Sequence, residues 1–536
     1  MIEKLLENWL DKASERSYQP VFVQMLSAQG YEVLHSTRHC LLEFGKDILA
    51  IGPDGVGCAF QLKGDPGKRM QIAEFRSGIQ FQLVQLMSQS PAYPGFPAGT
   101  YRSYLVSNGQ FEEEVQTAVQ QMNNSPLPSK VELWSRGMLL EMCRTNAQQL
   151  WPGELSDTRA LLELYMLNPR GKPPIKLLDG LLTSVVKLDA LEPIGRPEFI
   201  RTASSAAWLT GLAISSFAEE QNHYAVAIAW TQCCVALIAA AEKHASGALT
   251  SIASSFELAK AALLDSLTAL WDDVEGRSHL GQGDPLADLE VSGWRISVLF
   301  GLLSCLAFAD EQSPILNCDR RTRLHKWLTT NSHHPELWGE GAIAQIVPWI
   351  LWIRKHDATS RPDREIQELA RALVTLNQPD SKRALLSPYY DGDQVLTYRF
   401  GLQKNSFDEQ ETFAGRAHTA EVVIHLLVRT NLKQACKSLW PDFTRLNHHR
   451  FHVKSATDYC RFRSQNGVGE TKIYPPEYSW SELKEDALRG TEQYKIPTAL
   501  AKTPWLLGMW WQAAPHRLNA DSFRIFADEV LPSWGS

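Results

Sequence analysis

The run from Asp47 to Lys63 limits the folds open to this chain more than any other stretch. It reads Asp47-Ile-Leu-Ala-Ile51, then Gly52-Pro53-Asp54-Gly55, then Val56-Gly-Cys-Ala-Phe-Gln61-Leu-Lys63. The central four residues are a strong turn signal between two short apolar runs, so a hairpin is expected. The hairpin returns Asp47 to the Gln61–Lys63 end. Side chains alternate faces along a strand, so Gln61 and Lys63 point the same way. An acid, an amide and a lysine therefore meet at the open end, a layout suited to metal-assisted phosphodiester chemistry. Asp47 is the expected ligand of Mg²⁺ (or Mn²⁺), a hard cation that takes oxygen donors. The Gln61 amide oxygen and the Leu62 backbone carbonyl can complete the inner shell. Lys63 is placed to stabilise charge building on an attacked phosphate, or to orient the attacking water.

The flanking order of elements carries further information. A helical apolar pattern over Val21-Phe-Val-Gln-Met-Leu ends at Gly30-Tyr31, and a strand Glu32–Leu34 follows. After the hairpin come a helix over Gln71–Met87 and a buried strand Tyr101–Val106. Ser107-Asn108-Gly109-Gln-Phe111, a helix through Met122, strand Lys130–Trp134 and Ser135-Arg136-Gly137 complete the succession. In this order, and in Asp47…Gln61-x-Lys63, the first 145 or so residues resemble the PD-(D/E)xK nuclease superfamily, specifically its Mrr-like restriction-endonuclease branch, in the variant where Gln replaces the second acid. The resemblance implies an α/β restriction-endonuclease-like domain, a mixed sheet flanked by helices, over residues 1–150. It implies a Mg²⁺-dependent endonuclease acting on nucleic acid, with DNA the expected form, in bacterial defence against foreign DNA. Many members carry a glutamate in the first helix that helps to hold metal. The matching stretch here is Ser17-Tyr-Gln19-Pro20, so Gln19 stands in its place, and Glu43 is a second candidate for the missing acid. Gln61 lowers the site's negative charge by one, so metal binding is expected to lean on the substrate phosphate.

The rest of the 536 residues reads differently. Trp151-Pro-Gly153 and Asn168-Pro-Arg-Gly-Lys-Pro-Pro174 punctuate the chain, and residues 151–174 read as a linker. From 175 to 536 helical periodicity dominates, for example over Ile175–Leu188, Ala225–His244, Ile252–Val274 and Ile343–Lys355. An all-α domain built as a solenoid or a bundle is expected, acting as a sensor, partner-binding or oligomerising module. Two charge-free stretches, Ala225–Ala241 and Ile296–Ala309, fall short of a membrane span and read as buried core helices.

Composition excludes several classes. The net charge of −7 rules out a global basic field, so any nucleic-acid surface must be local. Residues 415–463 hold one basic, aromatic-rich tract, in which Arg445, Arg450, Lys454, Arg461 and Arg463 are candidate nucleic-acid contacts, against the alternative of a solvated helix face. The nine cysteines form no Cys-x-x-Cys pair and read as reduced thiols of a cytoplasmic protein. The N-terminal Met-Ile-Glu-Lys-Leu-Leu lacks the basic start and apolar core of a signal peptide. No Gly-x-x-x-x-Gly-Lys-[Ser/Thr] loop or Gly-x-Ser-x-Gly elbow is present. The competing expectation is a scaffold that binds nucleic acid without cutting it and works through its helical domain and a partner.

Overall fold

The computed structural model describes residues 2–36, 46–151, 154–276, 289–330, 335–357, 359–382, 384–399, 414–453, 455–461, 468–489 and 495–531. Glu43, Lys454, Arg463 and the Pro152-Gly153 step lie outside the described residues. Two compact units result, Met1–Ser266 and Leu267–Ser536. The division falls inside one helix and away from 151–174, whose flanking helices both belong to the first unit.

The first unit is built on a five-stranded mixed sheet. Its strands are β1 (Glu32–Ser36), β2 (Ile48–Ile51), β3 (Gly57–Lys63), β5 (Arg102–Ser107) and β7 (Val131–Trp134), in the order β1-β2-β3-β5-β7. Short β4 (Arg69–Met70) and β6 (Gln110–Phe111) pair with each other. The first three strands are antiparallel, and β3, β5 and β7 run parallel. Parallel neighbours need crossover connections, and helices supply them. Between β4 and β5 run α3 (Ile72–Glu74), a π-helical turn (Phe75–Ile79) and α4 (Gln80–Ser88), head to tail; α5 (Glu113–Asn123) links β6 to β7. Gly52-Pro-Asp-Gly55 closes the β2–β3 hairpin, with Gly55 at φ 80°.

Each face of the sheet has its own cover. Leu49, Ala59 and Leu105 meet Phe75, Leu83 and Leu86 from the crossover and Val115 from α5. Phe75, Ile79 and Leu83 recur every four residues. In a regular α-helix that spacing drifts about 40° per step, and the wider π-turn absorbs the drift. On the other face Phe60, Tyr104 and Trp134 stack, and α2 (Glu15–Ala28) sets Phe22 edge-on against Phe60 at 5.7 Å. Truncating Phe60 to Ala would cost about 3–5 kcal/mol.

Helices α1 (Ile2–Leu10), α6 (Arg136–Leu150), α7 (Leu155–Tyr165), α8 (Ile175–Val185), α9 (Arg196–Ala213), α10 (Ser215–Glu219) and α11 (His223–His244) complete the first unit, with the start of α12 (Ala253–Gly276). Here the helices after residue 175 continue the N-terminal fold: α2 packs on α9, and Ser205 Oγ donates to the Leu150 carbonyl at 2.5 Å. Helix α11 is apolar all round because nearly all of it is interior.

The second unit is mostly helical. Its helices are α13 (Leu289–Gln312), α14 (Cys318–Thr330), α15 (Ala342–His356), α16 (Arg361–Leu376), α17 (Gly392–Arg399), α18 (Ala420–Arg429), α19 (Lys433–Phe443), α20 (Ala456–Cys460), α21 (Trp480–Arg489), α22 (Thr498–Ala501), α23 (Pro504–Ala513) and α24 (Ala520–Val530). Apolar α13 is packed between α15 and α23, as an interior helix should be. The unit is not purely α-helical, which corrects the sequence expectation. Strands β8 (Arg416–Ala417), β9 (Asn447–His452) and β10 (Val468–Lys472) form a small sheet in the order β10-β9-β8. Asn447-His-His-Arg-Phe-His452 has polar residues at both alternating positions, so it shows no strand pattern in sequence.

Candidate functional site

The hairpin register sets the site. Ile48 pairs with Phe60, and the Asp47 N–H donates to the Phe60 carbonyl at 2.8 Å, which sets Asp47 directly beside Gln61. Asp47 Oδ2 accepts from Gln61 Nε2 at 2.7 Å and from the Leu62 N–H at 2.6 Å. Asp47, Gln61 and Leu62 thus meet as the sequence suggested. Lys63 follows on the Gln61 face and is half-buried. Strand β3 is interior up to that point, so Lys63 is where it emerges.

Gln61 is 3% exposed, and its Oε1 has no hydrogen-bond partner. A buried carbonyl oxygen left unpaired costs about 1–3 kcal/mol. It lies on the amide whose nitrogen holds Asp47, so a half-turn of the amide would present Oε1 on the Asp47 side. The donors within reach are then a carboxylate, an amide oxygen and the Leu62 carbonyl, which Gln61 Nε2 approaches at 3.4 Å. That all-oxygen set fits a hard divalent cation that keeps several waters. It is a lean set: among the described residues no group of three or more His, Cys, Asp and Glu gathers as metal ligands.

Two features of the site escaped the sequence reading. The first is Glu15. It opens α2, and that helix start comes so close to the end of β3 that a Cβ on Gly64 would lie 2.7 Å from the Glu15 backbone nitrogen. Gln19 instead directs its Nε2 to Ser36 Oγ on β1 at 3.0 Å. The second is Tyr18. Its hydroxyl is buried and donates to the carbonyls of Lys63 (3.0 Å) and Val106 (3.3 Å), tying α2 to the ends of β3 and β5. Burial, reinforced by the charges of Glu15, Asp47 and Asp65, pushes that hydroxyl well above its ordinary pKa. Both signals were present in the sequence: an acid at a helix start, and a glycine directly after Lys63.

Beyond the strand, Asn108 organises the rim. Its Oδ1 accepts from the Asp65 N–H at 2.9 Å, and its Nδ2 donates to the Leu10 and Ala13 carbonyls. Gly109 allows this, because a Cβ there would sit 2.6 Å from Asp65. Lys46, next to Asp47, is 5% exposed, and burial lowers its pKa to about 8.

The basic tract of the second unit is used differently from what its sequence suggested. Arg450 turns inward and forms a two-bond ion pair with Glu421 on α18. The backbone carbonyl of Arg461 receives the Arg517 guanidinium. Arg445 stays half-exposed, 3.8 Å from Asp380. Lys472 and the Tyr474 hydroxyl also converge on Glu421, and Lys472 bridges to Asp486 at 3.0 Å. Burial alone would raise Glu421, but Arg450 and the neighbouring cations hold it down at about 2. His448 gives Nε2 to the Phe443 carbonyl at 2.9 Å, so it is engaged by backbone.

No protein-family model, curated protein or solved structure matches this chain.

Proposed function

We propose that the first unit is a restriction-endonuclease-like domain and that the chain is a Mg²⁺-dependent nuclease cleaving phosphodiester bonds of nucleic acid, with DNA as substrate. One observation carries this reading: Asp47, Gln61 and the Leu62 peptide meet at the open end of the β2–β3 hairpin, with Lys63 next along the strand on the Gln61 face. Asp47, the Gln61 amide oxygen and the Leu62 carbonyl would hold the cation, with Glu15 or Gln19 adding to the set from α2. Bound there, the cation supplies Lewis-acid polarisation of the phosphate and a more acidic water. Lys63 places an ammonium where charge builds on the phosphate oxygens or where the water is oriented. Tyr18 holds the Lys63 carbonyl and so fixes the strand end that carries both polar side chains. In this reading the protein serves cytoplasmic bacterial defence against foreign DNA, and the helical remainder recognises a partner or trigger.

The test is cleavage of plasmid DNA and of RNA by purified protein with Mg²⁺ or Mn²⁺, beside Asp47→Ala and Lys63→Ala. Wild-type rates in either variant would sink the assignment. A second reading has its own support, since the Gln61 amide donates to Asp47 and the site holds few acids. In it the domain binds nucleic acid without cutting, and the protein acts as a scaffold with a partner. Nucleic-acid binding with no cleavage under any metal would favour it.

A further inference from the structure

Between Glu74 and Glu112 the chain has no acidic residue, although it holds 60 Asp and Glu among 536 residues. The only cations in that stretch are Arg76 and Arg102, and Arg102 is paired with Asp54 at 2.6 Å. The stretch begins with the π-turn and α4, and this crossover helix leaves one side bare. Ser77, Phe81, Val84 and Ser88 are all exposed, with Phe81 at 67%. Their spacing of four, three and four residues places them in one stripe, the spacing at which a helix packs on another helix. Both serine hydroxyls are turned onto their own helix, Ser77 to the Glu74 carbonyl at 2.8 Å and Ser88 to the Val84 carbonyl at 2.6 Å. The stripe is therefore poor in charge and in free hydrogen-bonding groups. Gly78, beside Ser77, has open space where a Cβ would be, so another backbone can come close.

We infer that this stripe is a homodimer seam, in which the crossover helices of two copies of this chain pack antiparallel about a two-fold axis between Phe81 and Val84. The pattern small–large–large–small reads the same in both directions, which a surface that meets itself requires. In that arrangement Phe81 meets Val84 of the partner subunit, and Ser77 meets Ser88 of the partner subunit. Absence of charge also favours a second copy: a charged patch would repel its own image, and a nucleic-acid surface would be rich in Lys and Arg. The helix leads away from the strand that ends in Lys63. If the nuclease reading holds, pairing here would join two sites, one for each strand of a duplex, but the dimer does not depend on that reading.

The experiment is sedimentation equilibrium of the full chain over a wide concentration range, without metal or substrate, so it is independent of any cleavage. A concentration-dependent dimer is expected. Phe81→Arg and Val84→Arg should each raise its dissociation constant at least about tenfold. Leu191→Arg, at an equally exposed apolar position elsewhere in the first unit, should leave it unchanged. Phe81 projects outward, so its variant should melt at the wild-type temperature and the readout stays interpretable. A strictly monomeric wild type overturns the proposal, as does a dimer that both arginine variants leave intact. So does a monomer in which Phe81→Arg weakens binding of a labelled DNA duplex, since the stripe would then belong to nucleic acid.

Discussion

Asp47 in the first unit and Glu421 in the second are both carboxylates set against interior strands, yet their surroundings differ. Glu421 is saturated: Arg450 grips both oxygens, and Lys472 and Tyr474 add to one of them. The hydrogen bonds reported for Asp47 come from an amide and a backbone N–H, both on one oxygen, and beside it the Gln61 carbonyl oxygen has no partner. A saturated buried acid cannot take a ligand without losing bonds it already has, so its work is to join α18 to the β9–β10 hairpin. A buried site left with an unpaired oxygen is poised to gain from a cation. Perturbed, half-satisfied polar groups mark sites more often than fully satisfied ones do.

The largest expected effect divides the two regions cleanly. Asp47→Ala should abolish metal-dependent cleavage, while metal-free stability falls by only about 1–3 kcal/mol through the two donors left without an acceptor. Cleavage assays and urea unfolding of the same preparation check both halves of that statement. Glu421→Gln should do the reverse. Leaving Arg450 and Lys472 without their counter-charge should cost about 3–5 kcal/mol, seen as faster hydrogen exchange in α18 and β9, with cleavage unchanged. Equal loss of activity in both variants would erase the distinction between site and staple.

A third expectation concerns pH and lies in the second unit. Glu340 is 1% exposed and accepts from the His418 and Thr419 N–H groups, the Thr419 hydroxyl and the Asn377 amide. Burial outweighs these bonds and raises its pKa to about 7. A carboxyl with a raised folded pKa binds its proton more tightly when folded. Its contribution is thus complete below the unfolded value of about 4.5 and is lost as pH rises through about 7. The amount is about 3 kcal/mol at 1.36 kcal/mol per pKa unit. Buried His418 and His425, each lowered by burial to about 4, act in the opposite sense, losing stability as pH falls from 6.5 toward 4. The difference between wild type and Glu340→Gln isolates the Glu340 part. Its stability gap should close between pH 5 and pH 8, and a gap that stays constant would show that Glu340 is ionised throughout.

The smallest effect sharpens the comparison from the first unit. Gln61→Glu replaces the amide that now donates to Asp47 with a second carboxylate. Metal-free stability should fall by about 1–2 kcal/mol from the lost bond and the added repulsion, and saturating Mg²⁺ should restore it. Activity should persist with tighter metal binding. Destabilisation that Mg²⁺ cannot reverse would mean that residue 61 does not face the cation.

Much of the first unit was legible because its signals are local. The Gly52–Gly55 turn, the alternation along β3 and the Ser107-Asn108-Gly109 step each act over a few residues, and they place Asp47 against Gln61 through hairpin register alone. Glu15 and Tyr18 were not legible, since their relation to Lys63 depends on how α2 crosses the sheet edge. The same holds for the role of Gly64, which is small because a helix start passes beside it. In the second unit the basic tract looked like a solvent-facing surface, and only the fold shows Arg450 turned inward to Glu421.

Sequence by itself determined the hairpin, the succession of strands and crossovers, the interior character of α11 and α13, and the predominance of helix after residue 175. These follow from periodicity, turn chemistry and apolar length, which are properties of neighbours along the chain. Tertiary structure alone decided that helices beyond the expected linker pack with the first unit, that a three-stranded sheet forms within the helical remainder, which acids are saturated, and that the stripe through Phe81 is left bare. Each of those depends on which surfaces meet across long separations, and burial, ion pairing and exposure acquire their energies only there.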